Sequence, residues 1–224
     1  MKKLTYLFIA VLTISLSGCS IFQGGDKSFE GVIKYTIDYE GDIDEETLAQ
    51  APTGVTEYYK STKVRKDQES MMYTVGVISG NETEENIVLM DIPMMGEKIA
   101  YKQSAEDKEE AEEMMDENKP EYNETGETKE ILGYTCKKVD AMVGDDIFPL
   151  YYTNEINIEG NPNESGQFPG IEGVILEYTV AQQGMVMKFT ATEVKKQRLS
   201  EDMFGIPEDY TLKTAEEMEA LFGM

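Results

Sequence analysis

Polar and apolar residues alternate through residues 29–40. Phe29, Gly31, Ile33, Tyr35, Ile37 and Tyr39 fall on one side, and Glu30, Lys34, Thr36, Asp38 and Glu40 on the other. Val32 is the one apolar residue out of phase. A period of two over this length predicts a strand with one wet face. Residues 42–51 are acidic with Leu48 and Ala49 among them, and predict a helical turn ended by Pro52. Short strands follow at 55–60, 62–69, 71–79, 85–92 and 98–103, with turn chemistry at Gly80-Asn81 and at 93–96. The pattern is that of an antiparallel meander.

Residues 104–118 break the alternation. Ser104 is a fitting N-cap, Glu106 and Asp107 lie in the first turn, and Ala111, Met114 and Met115 form a narrow apolar stripe ahead of Pro120. Such a helix serves equally as a solvated connector or as a lid over an apolar cleft. Strands resume at 127–131, 133–143 and 148–156, the last with Phe148, Leu150, Tyr152 and Ile156 on one face. A loop rich in Gly, Pro and Asn spans 160–173, long enough to be mobile or functional. A hairpin of 173–180 and 185–194 follows. Val174, Leu176, Tyr178 and Val180 share one face of it, and Met185, Met187, Phe189 and Ala191 another. Thr214 and Glu217 form a capping box before Met218, Leu221 and Phe222, predicting a closing helix. With no βαβ rhythm, the expectation is a mainly β (α+β) protein. It would be a curled antiparallel sheet or half-open β-barrel of about ten or eleven strands, with one or two covering helices over its exposed edges.

Charge narrows the partners. Twenty Lys and Arg stand against 44 Asp and Glu, a net charge of −24. A chain this acidic is repelled by nucleic acid and by anionic membrane surfaces. Histidine is absent, which removes the usual general base, the usual zinc ligand and every Ser-His or Cys-His pair. Carboxylate pairs are too numerous to mark a site. The oxygen-rich stretches at Asp44-Glu45-Glu46, at 82–85 and at Asp145-Asp146 do not follow an EF-hand pattern. No motif calls for a catalytic residue, a metal ion or a cofactor. Lys63, Arg65 and Lys66 form a basic island, readable as the wet side of a strand or as a seat for an anionic headgroup or partner.

The first residues point to a membrane. Lys2 and Lys3 precede an apolar run, residues 4–16, too short and wrongly flanked for a membrane-spanning helix, so residues 1–18 read as a signal peptide. Leu16-Ser17-Gly18-Cys19 resembles the bacterial lipobox, which implies lipidation at Cys19 and anchorage to a membrane by acyl chains. Ser20 follows the cysteine with no acidic cluster after it. By resemblance to bacterial lipoprotein sorting, this implies an outer membrane and its periplasmic face. Residues 19–27 then form the lipidated cysteine and a flexible tether, and 28–224 a single β-rich half-barrel domain. Cys136, left without an intramolecular partner, reads as a small buried hydrophobe, with a reactive thiol or an intermolecular disulfide as alternatives.

Several phrases together carry a family resemblance: Phe29-Glu30-Gly31-Val32-Ile33, Ile131-Leu132-Gly133-Tyr134-Thr135-Cys136-Lys137-Lys138, Tyr151-Tyr152-Thr153, Leu176-Glu177-Tyr178 and Ile206-Pro207-Glu208-Asp209-Tyr210. They resemble an uncharacterised family of Bacteroidota envelope lipoproteins, known only as a domain of unknown function. Its fold is similar to that of the LolA- and LolB-type lipoprotein carriers. The resemblance implies a half-open barrel with a hydrophobic cavity; it implies no catalytic residues.

The expected function is that of a non-enzymatic, membrane-anchored envelope protein. An apolar ligand, a lipid or acyl chain, would lie in the half-barrel against Tyr35, Ile37, Met114, Met115, Leu176, Tyr178, Met185, Met187 and Phe189. The alternative is a protein–protein interaction module without a cavity. The methionine pairs Met71-Met72, Met94-Met95 and Met114-Met115 read as core packing, as part of a ligand cavity, or as thioether donors to Cu(I). In sequence they are scattered, and neighbours on a strand point to opposite faces.

Overall fold

The computed structural model describes residues 28–80, 85–103, 119–163, 168–182 and 184–222. Among these residues twelve strands form one sheet that does not close into a barrel. The first meander runs β1 (Gly31–Glu40), β2 (Gly54–Lys60), β3 (Lys63–Glu69), β4 (Thr74–Ser79), β5 (Ile87–Ile92) and β6 (Glu97–Lys102). The second runs β7 (Glu121–Ile131), β8 (Tyr134–Val143), β9 (Asp146–Thr153), β10 (Val174–Gln182) and β11 (Met185–Lys196). They join where β11 pairs antiparallel with β1, and β12 (Thr211–Lys213) adds a parallel strand outside β6. The helices are α1 (Glu45–Gln50), capped by the Asp44 carboxylate, and α2 (Ala215–Phe222), which starts in the Thr214/Glu217 capping box.

The mainly β, curled antiparallel architecture agrees with the alternation in the sequence. The differences have local causes. The strand expected at 71–79 starts only at Thr74, because the Ser70 hydroxyl accepts the N–H groups of Met72 and Tyr73 and turns the chain there. β7 starts six residues before the expected strand at 127–131. Its register with β8 shifts between Glu124 and Thr128, around Gly126 at φ +74°, so no clean alternation marks it. β12, three residues long, carries too little pattern to read. The 148–156 strand ends at Thr153, and Ile156 belongs to the connection beyond it.

Both faces of the sheet are covered, each over a different half. Ile33, fully buried, points to the front with Tyr35 and Ile37; Val32, its neighbour, points to the back. The out-of-phase Val32 therefore marks the point where both faces are dry. On the front, Ile156, Ile158, Phe168 and Ile171 from the β9–β10 connection pack into the core over the second meander. The Asn163 amide pins that connection by donating to the carbonyls of Ile171 (2.9 Å) and Gly173 (2.8 Å). On the back, Leu199, Met203, Phe204, Ile206 and Tyr210 pack on Val32, Tyr58, Ile78, Ile87, Leu89 and Ala100. These residues form a strap from the end of β11 across the first meander to β12. The strap includes one turn of 3-10 helix, Glu201–Phe204, which buries Phe204, and the helix expected at 104–118 lies outside the described residues.

Candidate functional site

Strand register gathers most of the expected ligand residues. Ile37 lies opposite Phe189, Phe189 opposite Tyr178, and Tyr178 opposite Leu150; Met187 lies between Tyr39 and Val180. Tyr35, Ile37, Leu176, Tyr178, Met187 and Phe189 thus belong to one front cluster, while Met185 at the start of β11 is only half-buried. Within the cluster the side chains fill one another's space. Tyr178 stacks on Phe189 with centroids 4.5 Å apart, and Phe168 and Tyr35 meet Tyr178 edge-on at 5.5 and 6.2 Å. Leu150 and Leu176 are fully buried beneath them. Met114, Met115, Leu16, Ser17, Gly18 and Cys19 lie outside the described residues.

A buried carboxylate borders this core. Glu57 accepts the Tyr59 hydroxyl and pairs with Lys66 at 2.8 Å, while the Tyr35 hydroxyl donates to the Ile175 carbonyl at 2.9 Å. Burial raises the Tyr35, Tyr59 and Tyr178 hydroxyls well above their ordinary range, and the Glu57 charge adds to the effect. These tyrosines stay protonated and act as hydrogen-bond donors or packing groups rather than as bases. Burial likewise raises the Tyr122 hydroxyl to about 12; it has no hydrogen-bond partner among the described residues. Cys136 is fully buried, with its thiol raised by burial, as suits a packing residue.

Two of the three cations of the basic island, Lys63 and Arg65, are engaged by the strap, while Lys66 pairs with Glu57. Lys63 and Lys60 reach Glu201 at 2.8 and 3.0 Å, and Lys60 also donates to the Leu199 carbonyl. Arg65 bonds the Asp67 carboxylate at 2.8 Å and the Met203 carbonyl at 3.1 Å, with its guanidinium over the Tyr58 ring. Gly76 makes room for that pair, since a Cβ there would lie 2.6 Å from the Asp67 carboxylate. Lys63 and Arg65 therefore hold the protein's own strap rather than facing outward as a headgroup seat.

A half-open cleft of about 130 Å³ lies between Asn154, Ile156, Pro162, Glu172 and Gly173. It is smaller than the roughly 300–1,000 Å³ of sites that engulf a drug-sized ligand. No group of three or more His, Cys, Asp or Glu side chains is placed to hold a metal ion among the described residues. No helix among them is long and apolar enough to cross a membrane.

Residues 96–214, just over half the chain, match the family model described as the N-glycanase peptide, N-terminal domain. The chain belongs to this family. This overturns the resemblance to the uncharacterised envelope-lipoprotein family: the phrases that carried it are short strand and turn sequences, none diagnostic alone. Two solved structures of PNGF-II are similar in fold. The one in space group P21 is 21% identical, with a TM-score of 0.51, over 88% of this chain and 34% of that one. The one in space group C2 is 20% identical, with a TM-score of 0.50, over 87% and 32%. The chain thus spans about a third of the length of the PNGF-II chains it matches. The structure of LprF from Mycobacterium bovis, 8% identical over 75% of this chain and 89% of that one, reaches a TM-score of only 0.32. No curated protein matches the sequence.

Proposed function

We propose that the chain is a non-enzymatic docking module, held by lipid on Cys19 at the periplasmic face of an outer membrane, that binds an envelope protein through its surface. The observation that carries this reading is the filled front core. Where a lipid carrier would leave room for an acyl chain, Phe168 closes over the Tyr178–Phe189 stack. Among the described residues this core leaves no room for an acyl chain, which favours recognition of partners by the exterior. The family relationship supports a modular role, because in PNGF-II a domain of this fold is about a third of a longer chain. The net charge of −24 favours a partner with a basic surface.

The test joins two measurements on the full chain. Native mass spectrometry after exposure to phospholipid should find no non-covalently bound lipid beyond the acyl chains on Cys19. Photo-crosslinking in cells, with probes on the exposed ends of the sheet, should give one discrete adduct with the parent and lose it in Cys19→Ala, which leaves the module unlipidated. A phospholipid retained non-covalently, or crosslinks spread over random neighbours, would overturn the reading.

A further inference from the structure

Two methionine pairs that are far apart in sequence meet at one end of the sheet. Thr74 pairs with both Glu69 and Asp91, and Asp91 pairs with Lys98, so these four residues form one row across β3, β4, β5 and β6. The turn at residues 70–73 leaves this row, and the turn at 93–96 leaves one residue further on in the same direction. The first carries Met71 and Met72, 83% and 37% exposed; the second carries Met94 and Met95, 79% and 60% exposed. The turn centres are two strand spacings apart, about 10 Å. Methionine side chains, each with three rotatable bonds, can reach towards one another across that gap.

The hydrogen bonds that close these turns do not involve the methionine side chains. The first turn is closed by the Ser70 N–H to the Tyr73 carbonyl (2.9 Å) and by the Ser70 hydroxyl. The second is closed by the N–H groups of Met95 and Gly96 to the carbonyls of Ile92 and Pro93, with Gly96 at φ +66°. Turn tips ordinarily carry Asn, Asp, Gly or Ser, so the largely exposed Met71, Met94 and Met95 answer to no demand of local structure, while Met72 is more covered. Around them lie carboxylates. Glu69 and Glu97 border the turns, and Glu40, Asp42, Glu45 and Glu46 stand at the same end beyond β1. None of these six makes an ion pair among the described residues; Lys98 is taken up by Asp91 and Asp209.

We propose that Met71, Met72, Met94 and Met95 form a surface site for a soft monovalent cation, Cu(I), drawn in by the acidic rim and ligated by thioethers from both turns. Thioethers select Cu(I) over Zn(II), Mg(II) or Ca(II), and the chain has no histidine to divert the metal to imidazole. The rim supplies negative charge that the neutral ligands lack.

The test is an anaerobic titration of the full chain with Cu(I) in competition with bicinchoninate. The comparison is a variant carrying Met71→Leu, Met94→Leu and Met95→Leu. Leucine keeps the size and apolarity of these exposed positions and removes the sulfur, and unchanged thermal unfolding confirms that the variant is folded. Loss of an outer-shell partner already costs metal sites about 10–100-fold, so loss of direct ligands should weaken binding by at least about 10-fold. In protein labelled at the methionine methyls, Ag(I), a redox-inert stand-in, should shift these four resonances. Equal competition by parent and variant would overturn the site, whether neither binds or both bind through other sulfurs. Retention of Cu(I) by a variant that no longer forms the envelope crosslink would instead make the turns apolar docking knobs, and would equally overturn it.

Discussion

The front and back of the sheet are closed by different physics. On the front, the β9–β10 connection contributes Ile156, Ile158, Phe168 and Ile171 to the interior, where they are buried in one cluster with the strand residues beneath them. On the back, the strap contributes Leu199 and Phe204 and is held by charge along its course. Glu201 meets Lys60 and Lys63, Arg65 reaches the Met203 carbonyl, and Lys98 meets Asp209. The front cover is therefore part of the main cooperative core. The back strap lies on a smaller cluster and on partly exposed ion pairs, which are worth little each. A cover that is part of the main core opens only with the whole protein; one seated on a small separate cluster can open by itself.

The sharpest test deletes an aromatic from each side. Phe189→Ala should cost about 3–5 kcal/mol, because it removes the stacking partner of Tyr178 and leaves a cavity beneath Phe168. Urea denaturation measures it, and a loss below about 1 kcal/mol would mean the front is not packed as described. Phe204→Ala should cost less in global stability, since the strap can lift without unfolding the sheet. Hydrogen exchange should then show Met203, Gly205 and Tyr210 losing protection while β8–β10 keep theirs. Loss of protection in both regions would merge the two covers into one unit.

pH should separate the sides next. Hydrogen bonds from Lys63 and Lys60 lower the Glu201 carboxyl, and a hydrogen bond from Lys98 lowers Asp209. Carboxylates lowered in the folded state contribute stability that is present above their unfolded values and lost as pH falls through the folded ones. Acid therefore loosens the strap first, and pepsin below about pH 4 should cut within residues 197–210 before it cuts the second meander. The front responds to base. Tyr35, Tyr59 and Tyr178 are raised, so their contribution is complete below the unfolded tyrosine value of about 10 and is lost as pH rises through the folded ones. Spectrophotometric titration should show these three hydroxyls resisting ionisation until the fold gives way. Early ionisation of all the tyrosines would deny the front its dry interior.

The two sides differ in how far the sequence disclosed them. The front was legible because Ile33, Tyr35, Ile37, Tyr178 and Phe189 alternate cleanly with polar residues, which places them on one face. Alternation does not say whether a face lines a cavity or a packed core, because that depends on what covers it. Here Phe168, from a loop that reads as mobile or functional, supplies the cover. The back was nearly illegible. Val32 was its only mark in the first strand, and the strap follows neither a period of two nor one of 3.6. Arg65 and Lys63 look like a wet face because their partners, Met203 and Glu201, are more than 130 residues away. The methionine ends were hidden for the same reason: only the pairing of Thr74 with Asp91 makes the two turns neighbours.

The smallest expected effect decides what holds the strap. Glu201 is 62% exposed at its side chain, and its partners do not depend on it alone: Lys60 also donates to the Leu199 carbonyl and lies 3.7 Å from Glu30. Beneath them Phe204 and Leu199 are buried against the sheet whether or not the charge is present. Glu201→Gln should therefore leave the urea midpoint unchanged and quicken exchange only at the strap's first turn, at Asp202 and Met203. Raising the salt concentration should produce the same small change in the parent and none in the variant, since screening acts on the pair the variant lacks. If Glu201→Gln instead released the strap as far as Tyr210, charge and not Phe204 would be its fastening. The contrast between an apolar front and an ionic back would then be stronger than burial alone implies.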